Sequence, residues 1–466
     1  MNASSPEPNP RRLADLAAGT IVSDRDTTID LAALARGTTL GGGAPLLAGR
    51  SVLISVASQP PAVAAAVELD GLAHRFVLAP PDLAADHMRA VIADAGIDFI
   101  VSDHPQLFAG FGCGVVPLTL PVADASPVRR DFDTQWTLLT SGTSGRPKLA
   151  AHTLAALTGA IPQRPDRGAR AVWATFYDIR RYGGLQIMLR AIIGGTALAL
   201  TSPGESLRDH LHRLGALGVT AMSGTPSHWR RVLMTPDRGD FAPAYIRLSG
   251  EIADQMILDA LHAAFPQAKI GHAYASTEAG VAFAVDDGRQ GFTAFLLERA
   301  TNGVEMRIAD GALQIRSPRA ASFYVAPDAP PLAGPDGFID TGDLVERRGD
   351  RYAFVGRRGG IVNVGGLKVN PEEVEAIINQ HPLVRMALVR GRRNPVTGAL
   401  VVADVVLHDG VTADDALSRE IMDMCLNALA PHKAPAIVRF VPDLPLTPAG
   451  KLSRDPAQTS KKPPDA

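Results

Sequence analysis

The chain has 466 residues, of which 46% are hydrophobic, 5% aromatic and 20% charged, and its formal net charge at pH 7 is -2. This is the composition of a globular protein with a large buried core, and the balanced charge excludes the basic surface of a general nucleic-acid-binding protein. Cys113 and Cys425 are the only cysteines, which excludes a disulfide framework and a zinc–thiolate site.

No membrane span or export signal is expected. The N-terminal residues contain no apolar run of the kind found in signal peptides. Residues 183–200 are the best candidate for a span, but Arg190 and the pair Gly194-Gly195 interrupt them. A buried helix followed by a buried strand explains this stretch better, so we expect a cytoplasmic protein.

The long N-terminal part alternates strand-like and helix-like segments. Short apolar runs predict strands at 51–56, 99–101 and 269–274, and amphipathic patterns predict helices at 83–95 and 252–265. Such alternation indicates an α/β fold with mostly parallel sheets.

A glycine-rich stretch at residues 356–366 is a poor helix and a plausible pivot. It predicts a boundary between a large N-terminal α/β domain and a small C-terminal α+β domain. About a hundred residues are enough for an independent domain.

The C-terminal part has its own element signals. Asn370 as N-cap and Pro371 in the first turn predict the start of a helix. Residues 385–389 and 400–407 predict a β pair, and residues 413–429 predict a second helix.

Donors suited to a polyphosphate are concentrated just after an apolar strand. Glycines let the backbone approach an anion, while hydroxyls and a lysine add donors and positive charge. The stretch is not the common P-loop, because Pro147 precedes Lys148 and Leu149 follows it. A polar surface turn is the alternative interpretation. The candidate phosphate-binding residues are Thr140, Ser141, Gly142, Thr143, Ser144, Gly145 and Lys148.

Four further motifs follow in chain order. Tyr274–Glu278 combines a ring that could stack on a base with oxygen groups suited to phosphate and Mg²⁺. Asp340–Asp343 offers a carboxylate to ribose hydroxyls, and Gly356-Arg357 offers a second sugar or phosphate contact. Pro448–Lys451 places a lysine on a tight turn. Taken singly, Asp340–Asp343 and Pro448–Lys451 are also common turn chemistry.

In this order, the five motifs resemble those of the acyl-adenylate-forming superfamily, which includes acyl-CoA synthetases, peptide-synthetase adenylation domains and luciferases. The resemblance extends over about residues 50–455 and is greatest to a small acid–CoA ligase. It implies a large N-terminal domain, residues 1–357, a hinge at 358–360 and a small mobile C-terminal domain, residues 361–466, with ATP bound at their junction. It also implies ATP- and Mg²⁺-dependent adenylation of an organic acid with release of pyrophosphate, followed by transfer to a thiol.

The resemblance assigns the nucleotide contacts residue by residue. The stretch Thr140–Lys148 would hold the β- and γ-phosphates, and Tyr274 would stack on adenine. The loop beside the adenine would be Ser249, Gly250 and Glu251. Asp343 and Arg357 would bind the ribose hydroxyls.

Three residues are assigned to catalysis by the same resemblance. Thr277 would hold the α-phosphate, Glu278 would coordinate Mg²⁺, and Lys451 would stabilise charge at the α-phosphate and the attacking carboxylate. Preorganised charges of this kind lower the repulsion between a carboxylate and an anionic phosphorus.

The sequence does not decide which of two thiols accepts the acyl group. The stretch Gly365–Val369 resembles the loop that lies beside the pantetheine thiol in CoA-forming relatives, with Gly366 and Lys368 as the candidate contacts. This favours CoA over the phosphopantetheine of a carrier protein without excluding the carrier. An amine acceptor, a small oxyanion substrate and a nucleotide-binding regulator are the alternatives, and Lys451 argues against the last.

Residues 176–185 and 224–229 are expected to line the acid pocket. The aromatic residues suit a flat or small acid, while Arg180 and Arg181 suggest a second acidic group on the substrate. The candidate acid-binding residues are Tyr177, Arg180, Tyr182, Gly183, Gly184 and Trp229. By contrast, the pair His210 and His212 is expected on the solvated face of a charged helix rather than in a metal site.

Overall fold

The computed structural model describes residues 12–120, 122–124, 131–140, 147–162, 171–364, 367–394, 398–447 and 451–454. Within them no helix is both long and apolar enough to cross a membrane. The helices of these residues are α1 (Leu13–Leu16), α2 (Gln59–Leu69), α3 (Ala85–Ala95), α4 (Leu154–Thr158), α5 (Tyr182–Gly194), α6 (Leu207–Ala216), α7 (Pro226–Met234), α8 (Gln255–Ala264), α9 (Phe295–Glu298), α10 (Pro371–Ile378) and α11 (Asp415–Ala428).

The strands alternate with these helices along most of the chain. In chain order they are β1 (Ile21–Ser23), β2 (Thr28–Asp30), β3 (Gly37–Thr38), β4 (Ser51–Ile54), β5 (Arg75–Leu78), β6 (Phe99–Ser102), β7 (Gly114–Pro117), β8 (Ala123–Asp124), β9 (Gln135–Thr140), β10 (Lys148–His152), β11 (Val172–Thr175), β12 (Ala197–Ala199), β13 (Ala221–Gly224), β14 (Tyr245–Ser249), β15 (Lys269–Ser276), β16 (Gly280–Val285), β17 (Phe292–Thr293), β18 (Glu305–Ala309), β19 (Ala312–Arg316), β20 (Phe323–Tyr324), β21 (Ile339–Arg348), β22 (Arg351–Arg357), β23 (Val362–Val364), β24 (Leu367–Val369), β25 (Val384–Asn394), β26 (Gly398–Leu407) and β27 (Ile437–Phe440).

The two largest sheets of the described residues are mostly parallel. One has the order β16-β15-β14-β13-β11-β12-β1-β2, with antiparallel pairing at each edge and parallel pairing between. The other has the order β20-β10-β9-β5-β4-β6-β7, in which β9 through β7 are parallel. This confirms the predicted α/β fold, because helical crossovers are what join neighbouring parallel strands.

A third sheet and the C-terminal elements are largely antiparallel. The third sheet has the order β17-β22-β21-β19-β18. After it, β23 pairs with β24, and β25 pairs with β26 before β27 joins in parallel. A separate apolar core forms between these last strands and α10 and α11.

Local sequence signals explain where the helices near the site begin and end. The Asp254 carboxylate accepts a hydrogen bond from the Ile257 N–H at 2.9 Å and so caps α8. Gly195, with φ +59°, ends α5, and the strand predicted after it follows at Ala197–Ala199.

Helix α10 begins as predicted, with Asn370 in the N-cap position and Pro371 in the first turn, although the Asn370 side chain makes no capping hydrogen bond. The expectation for His210 was wrong. His210 is 3% exposed and lies 2.9 Å from the Glu205 carboxylate, which also binds Arg213 at 2.7 Å. Helix α6 therefore turns His210 inward, and only His212 is on the solvated face, beside Asp237.

Side chains of β14 alternate between two cores. Ile246 and Leu248 pack into one apolar cluster, and Tyr245 packs into the other. Since alternate residues of a strand point to opposite faces, Arg247 and Ser249 share the face of Tyr245. The candidate site lies on this side of the sheet, at the carboxyl ends of β13, β14 and β15.

Candidate active site

Three parallel strands deliver the candidate residues to one edge of the sheet. Gly224, Ser249 and Ala273 lie near the carboxyl ends of β13, β14 and β15, and the register of the strands aligns these ends. Ligands of open α/β sheets bind at this edge, because the loops that follow parallel strands meet there.

Tyr274, Asp343 and Arg357 form one connected group. The Tyr274 hydroxyl donates a hydrogen bond to Asp343 Oδ2 at 2.5 Å, and Asp343 Oδ1 lies 2.8 Å from Arg357 Nε. The Tyr274 ring is nearly parallel to those of Phe354 and Phe283, with centroids 5.3 Å and 5.7 Å away. Burial, together with the Asp343 charge, raises the pKa of Tyr274 well above its usual value. The candidates for base and ribose binding are therefore adjacent.

Tyr324 joins the candidate phosphate and metal residues. Its hydroxyl donates a hydrogen bond to Glu278 Oε1 at 3.2 Å, and Lys148 Nζ lies 5.0 Å from the centre of its ring. Burial raises the pKa of Tyr324, so its hydroxyl stays protonated as a donor. Sequence reasoning missed this residue. It lies on β20, a strand of two residues that pairs with β10, which is far from it in sequence.

Lys451 reaches the carboxyl end of β14. Its Cε lies 3.3 Å from the position that a Cβ would occupy on Gly250, whose φ is +84°. The residue as a whole is exposed, but its ammonium end is enclosed, and burial lowers its pKa while the Glu251 charge opposes that shift. The charges of Asp343, Arg357 and Glu278 also act on it. A side chain on Gly250 would compete with Lys451 for this space.

Glu251 connects the Lys451 segment to the large sheet. Its Oε2 accepts a hydrogen bond from the Ser227 N–H, in the first turn of α7, at 2.9 Å. Its Oε1 accepts another from the Leu452 N–H at 3.0 Å. One carboxylate thus holds the residue that follows Lys451 against the large sheet.

Tyr177, Gly183 and Gly184 pack closely at the start of α5. The Tyr177 hydroxyl donates a hydrogen bond to the Ser249 carbonyl at 2.6 Å. A Cβ on Gly183 would lie 3.2 Å from the Tyr177 ring, and one on Gly184 would lie 2.2 Å from the Asp178 carbonyl oxygen. Only glycine fits at position 184, and the hydrogen bond to Ser249 places the Tyr177 hydroxyl at the end of β14.

Arg180 and Trp229 are both buried, in different surroundings. The Arg180 guanidinium is 2% exposed, forms a two-point ion pair with Asp178 at 2.6 Å and 2.8 Å, and donates to the Val56 carbonyl. Trp229 is fully buried between Phe241 and Phe265, but within the described residues its Nε1, next to Gly224, makes no hydrogen bond. Arg180 therefore has structural partners and is not retained in the acid site proposed below, whereas the place of Trp229 in that site stays a prediction.

Arg181 also has a partner, since its Nη2 lies 2.8 Å from Asp82. Tyr182 is different. Its hydroxyl is buried, and within the described residues it makes no hydrogen bond of ordinary geometry.

Six candidate residues lie outside the described ranges: Ser141, Gly142, Thr143, Ser144, Gly145 and Gly366. Of their neighbours, Thr140 is buried at the end of β9, and Lys368 is exposed on β24. Thr277 lies in the turn between β15 and β16 with Glu278.

The donor set fits Mg²⁺ held partly by substrate. Within the described ranges no three His, Cys, Asp or Glu side chains group as a metal cluster. Mg²⁺ is commonly bound by one or two protein carboxylates together with substrate phosphates. Glu278, half-buried and oriented by Tyr324, offers one such carboxylate.

The fold gathers these candidate residues at the carboxyl ends of parallel strands and beside a C-terminal lysine, an arrangement suited to an adenine nucleotide. Family comparison agrees: the family described as "AMP-binding enzyme" matches residues 46–320, and "AMP-binding enzyme C-terminal domain" matches residues 373–451. The first match covers more than half of the chain, so the chain belongs to the AMP-binding enzyme family.

Individual relatives are acid–CoA ligases. The chain is 36% identical over 136 residues to a sulfoacetate–CoA ligase of Cupriavidus necator, covering 29% of this chain and 26% of that protein. It is 28% identical over 361 residues to a benzoate–CoA ligase of Thauera aromatica, covering 71% and 66%. The chain therefore spans about a quarter of the first relative's length and just under two thirds of the second's.

A solved structure extends the likeness to almost the whole fold. The o-succinylbenzoate CoA synthetase of Bacillus subtilis, in complex with its acyl-adenylate intermediate, superposes with a TM-score of 0.74. The match covers 95% of this chain and 96% of that one at 20% sequence identity. At this identity the likeness shows the fold alone.

Proposed function

We propose that the protein uses ATP to adenylate a small organic acid and then transfers the acyl group to the thiol of CoA. The observation that carries the proposal is the position of Lys451 at Gly250, amid the charges of Glu278, Asp343 and Arg357. The family membership and the ligase relatives support the same reaction. It would take place in the cytoplasm, where ATP and CoA are both available.

In the first step a carboxylate oxygen of the acid attacks the α-phosphorus of ATP. A bond forms between them as the bond to the β-phosphate oxygen breaks, and pyrophosphate leaves. Lys451 and Thr277 stabilise the negative charge that builds up at the α-phosphate. Bound Mg²⁺ would neutralise phosphate charge, and Glu278 would hold it.

The rest of the nucleotide is bound by the connected group on β15, β21 and β22. Asp343 and Arg357 bind the ribose hydroxyls, and Tyr274 stacks on adenine beside Ser249, Gly250 and Glu251. The loop from Thr140 to Lys148 holds the β- and γ-phosphates, with Ser141 to Gly145 supplying its hydroxyl and N–H donors.

In the second step the thiol sulfur attacks the acyl carbonyl carbon, the thiol proton is lost, and AMP leaves with its oxygen. Gly366 and Lys368 lie on the segment proposed to border the pantetheine. A carrier-protein thiol or an amine would react at the same carbonyl, and the resemblance of the segment to that of CoA-forming relatives favours CoA.

The chain is proposed to divide at residues 358–360 into domains of residues 1–357 and 361–466. Gly356, with φ +140°, precedes this point, and the apolar core around α10 and α11 is separate from the cores of the large sheets. A pivot here would let the Lys451 segment leave and another C-terminal face approach.

The test is ATP–pyrophosphate exchange with a panel of small, aromatic and fatty acids. We expect exchange with at least one acid, and a loss of about 100- to 1000-fold in Lys451→Ala, because a preorganised charge at the reacting centre is removed. Lys269→Ala is the matched control, since Lys269 is 60% exposed and pairs with Asp286.

Adding CoA, a carrier protein or an amine to the active mixture then identifies the acceptor. Exchange that persists unchanged in Lys451→Ala would contradict the assigned catalytic role. Absence of exchange with every acid would contradict the adenylation reaction itself.

A further inference from the structure

Arg247 is a half-buried cation in the middle of a parallel sheet. It lies on β14, two residues before Ser249, and its neighbours in register are Ser223 on β13 and Gly271 on β15. Its side chain is on the face opposite Ile246 and Leu248, which pack into an apolar core. Its guanidinium is not among the fully buried polar groups of the described residues, so its donors are open to a ligand that enters the site.

No partner is found for it in the part of the chain that the structure describes. Arg247 makes no ion pair and donates no hydrogen bond there. The Asp286 carboxylate, which lies over Gly271 on the same face, pairs instead with Lys269 at 2.7 Å. The other arginines near the site, Arg180 and Arg181, bind Asp178 and Asp82.

The charge of Arg247 acts on the two buried tyrosines of the candidate acid site. Burial raises the pKa of both Tyr177 and Tyr182, and the positive charge of Arg247 opposes that shift in each. Tyr177 is already bonded to the Ser249 carbonyl. The Tyr182 hydroxyl faces the Val281 backbone but makes no hydrogen bond of ordinary geometry within the described residues. Arg247 and Tyr182 are thus close enough to interact, and both can still donate to a ligand.

We propose that Arg247 binds a second anionic group of the acid substrate, with Tyr182 as an additional donor, so that the preferred acids carry two anionic groups. This inference rests on the proposed adenylation reaction. One carboxylate of the acid would be at the β14 end near Lys451, and the other group, a carboxylate or a sulfonate, would lie deeper against Arg247. A guanidinium suits either group, because its planar donors match two acceptor oxygens.

The experiment compares dianionic acids with monoanionic acids of similar length. Malonate, succinate and sulfoacetate are paired with acetate, propionate and butyrate in the exchange assay, in wild type, Arg247→Met and Arg247→Lys. Arg181→Met is the matched control, because that arginine is nearby but paired with Asp82. Thermal unfolding of each variant, measured without acid, shows whether it is folded.

We expect wild type to prefer a dianionic acid, and Arg247→Met to lower kcat/KM for that acid by about 30-fold or more, as truncating one partner of a buried charge pair does. Activity toward the monoanionic acids should change less than about threefold, and Arg247→Lys should retain part of the preference. Arg181→Met should keep the full preference. The malonate, succinate and sulfoacetate arms show whether the second group is a carboxylate or a sulfonate.

Two outcomes would overturn the proposal. If wild type prefers monoanionic acids and Arg247→Met leaves that preference intact, Arg247 does not select the substrate, although adenylation stands. If no acid supports exchange, the proposed adenylation fails. The anion site is then tested by a separate measurement, the shift of the unfolding temperature that each dianionic acid causes in the presence of a non-hydrolysable ATP analogue. A shift that Arg247→Met abolishes supports the anion site, and no shift in wild type overturns it.

Discussion

At the scale of single residues, the hydroxyl of Tyr324 determines how the Glu278 carboxylate is presented. The hydrogen bond between them is 3.2 Å long, and Lys148 lies against the other part of the same ring. Tyr324 thereby links the residue proposed to hold Mg²⁺ with the residue proposed to hold the terminal phosphates. Removing its hydroxyl would free the carboxylate to rotate.

Tyr324→Phe is expected to raise the Mg²⁺ concentration needed for half-maximal exchange by roughly tenfold, the usual effect of losing one hydrogen bond to a charged group. KM for the acid should not change. Mg²⁺ titration of the exchange rate measures this, with Tyr352→Phe as the control on the neighbouring sheet. An unaltered Mg²⁺ dependence would mean that the contact does not orient a metal ligand.

Motif residues were recognisable from sequence because their chemistry is local. Tyr274, Asp343 and Lys451 were selected from short patterns, and the structure groups them, although their roles remain proposals. Tyr324 was missed because its partners, Glu278 and Lys148, are far from it in sequence. Arg247 was missed because only the folded structure shows which groups surround it. Arg180 was selected by residue type, which does not reveal that its guanidinium is already paired with Asp178.

At the scale of elements, the connection between α7 and the last described segment depends on Glu251. Its carboxylate accepts hydrogen bonds from Ser227 at the start of α7 and from Leu452 beside Lys451. Its negative charge also acts on the Lys451 ammonium. Glu251 therefore positions the segment that carries the lysine, in addition to its proposed place beside the adenine.

Glu251→Gln is expected to slow adenylation by about tenfold or more, because an amide nitrogen cannot replace one of the two acceptor oxygens and the charge is lost. Transfer of the acyl group from a supplied acyl-adenylate to CoA should stay within about twofold, since Lys451 is assigned to adenylation alone. Single-turnover assays of the two half-reactions measure this, with exposed Glu346→Gln as the control. Equal slowing of both half-reactions would show a general structural role.

Helices and parallel strands were predictable where periodicity was strong, and their ends shifted by a few residues. The helix expected at 83–95 is found at Ala85–Ala95, and the one expected at 252–265 is found at Gln255–Ala264. The short strands β17 and β20 had no comparable signal, because two residues have no period and their pairing partners are distant. These short strands help to build the site.

At the scale of the whole molecule, two histidines are held neutral by their surroundings, His152 fully buried and His228 partly exposed. Burial lowers the pKa of His152 to about 4 and that of His228 to about 3. His152 is 1% exposed, and His228 Nδ1 accepts a hydrogen bond from the Thr225 N–H while the ring stacks on Phe176. Protonating either ring would bury a cation, and for His228 it would also break that hydrogen bond.

These depressed pKa values make the folded state less stable in mild acid. An unfolded histidine has a pKa near 6.5, so below that pH the unfolded chain binds more protons than the folded one. The free energy of unfolding should therefore fall from pH 6.5 down to about pH 4 for His152 and about pH 3 for His228. By linkage, at pH 5 each contributes a loss of about 2 kcal/mol relative to pH 7.5.

His152→Gln should remove its share of this dependence. We expect the difference in unfolding free energy between pH 7.5 and pH 5 to be smaller than in wild type by about 2 kcal/mol, even if the variant is less stable at both pH values. Urea unfolding at the two pH values measures it, and carboxyl titrations common to both proteins cancel in the comparison. Exposed His408→Gln, the control, should keep the wild-type dependence. If His152→Gln and wild type lose equal stability at pH 5, His152 is not held neutral by burial, and another group accounts for any acid sensitivity of the fold.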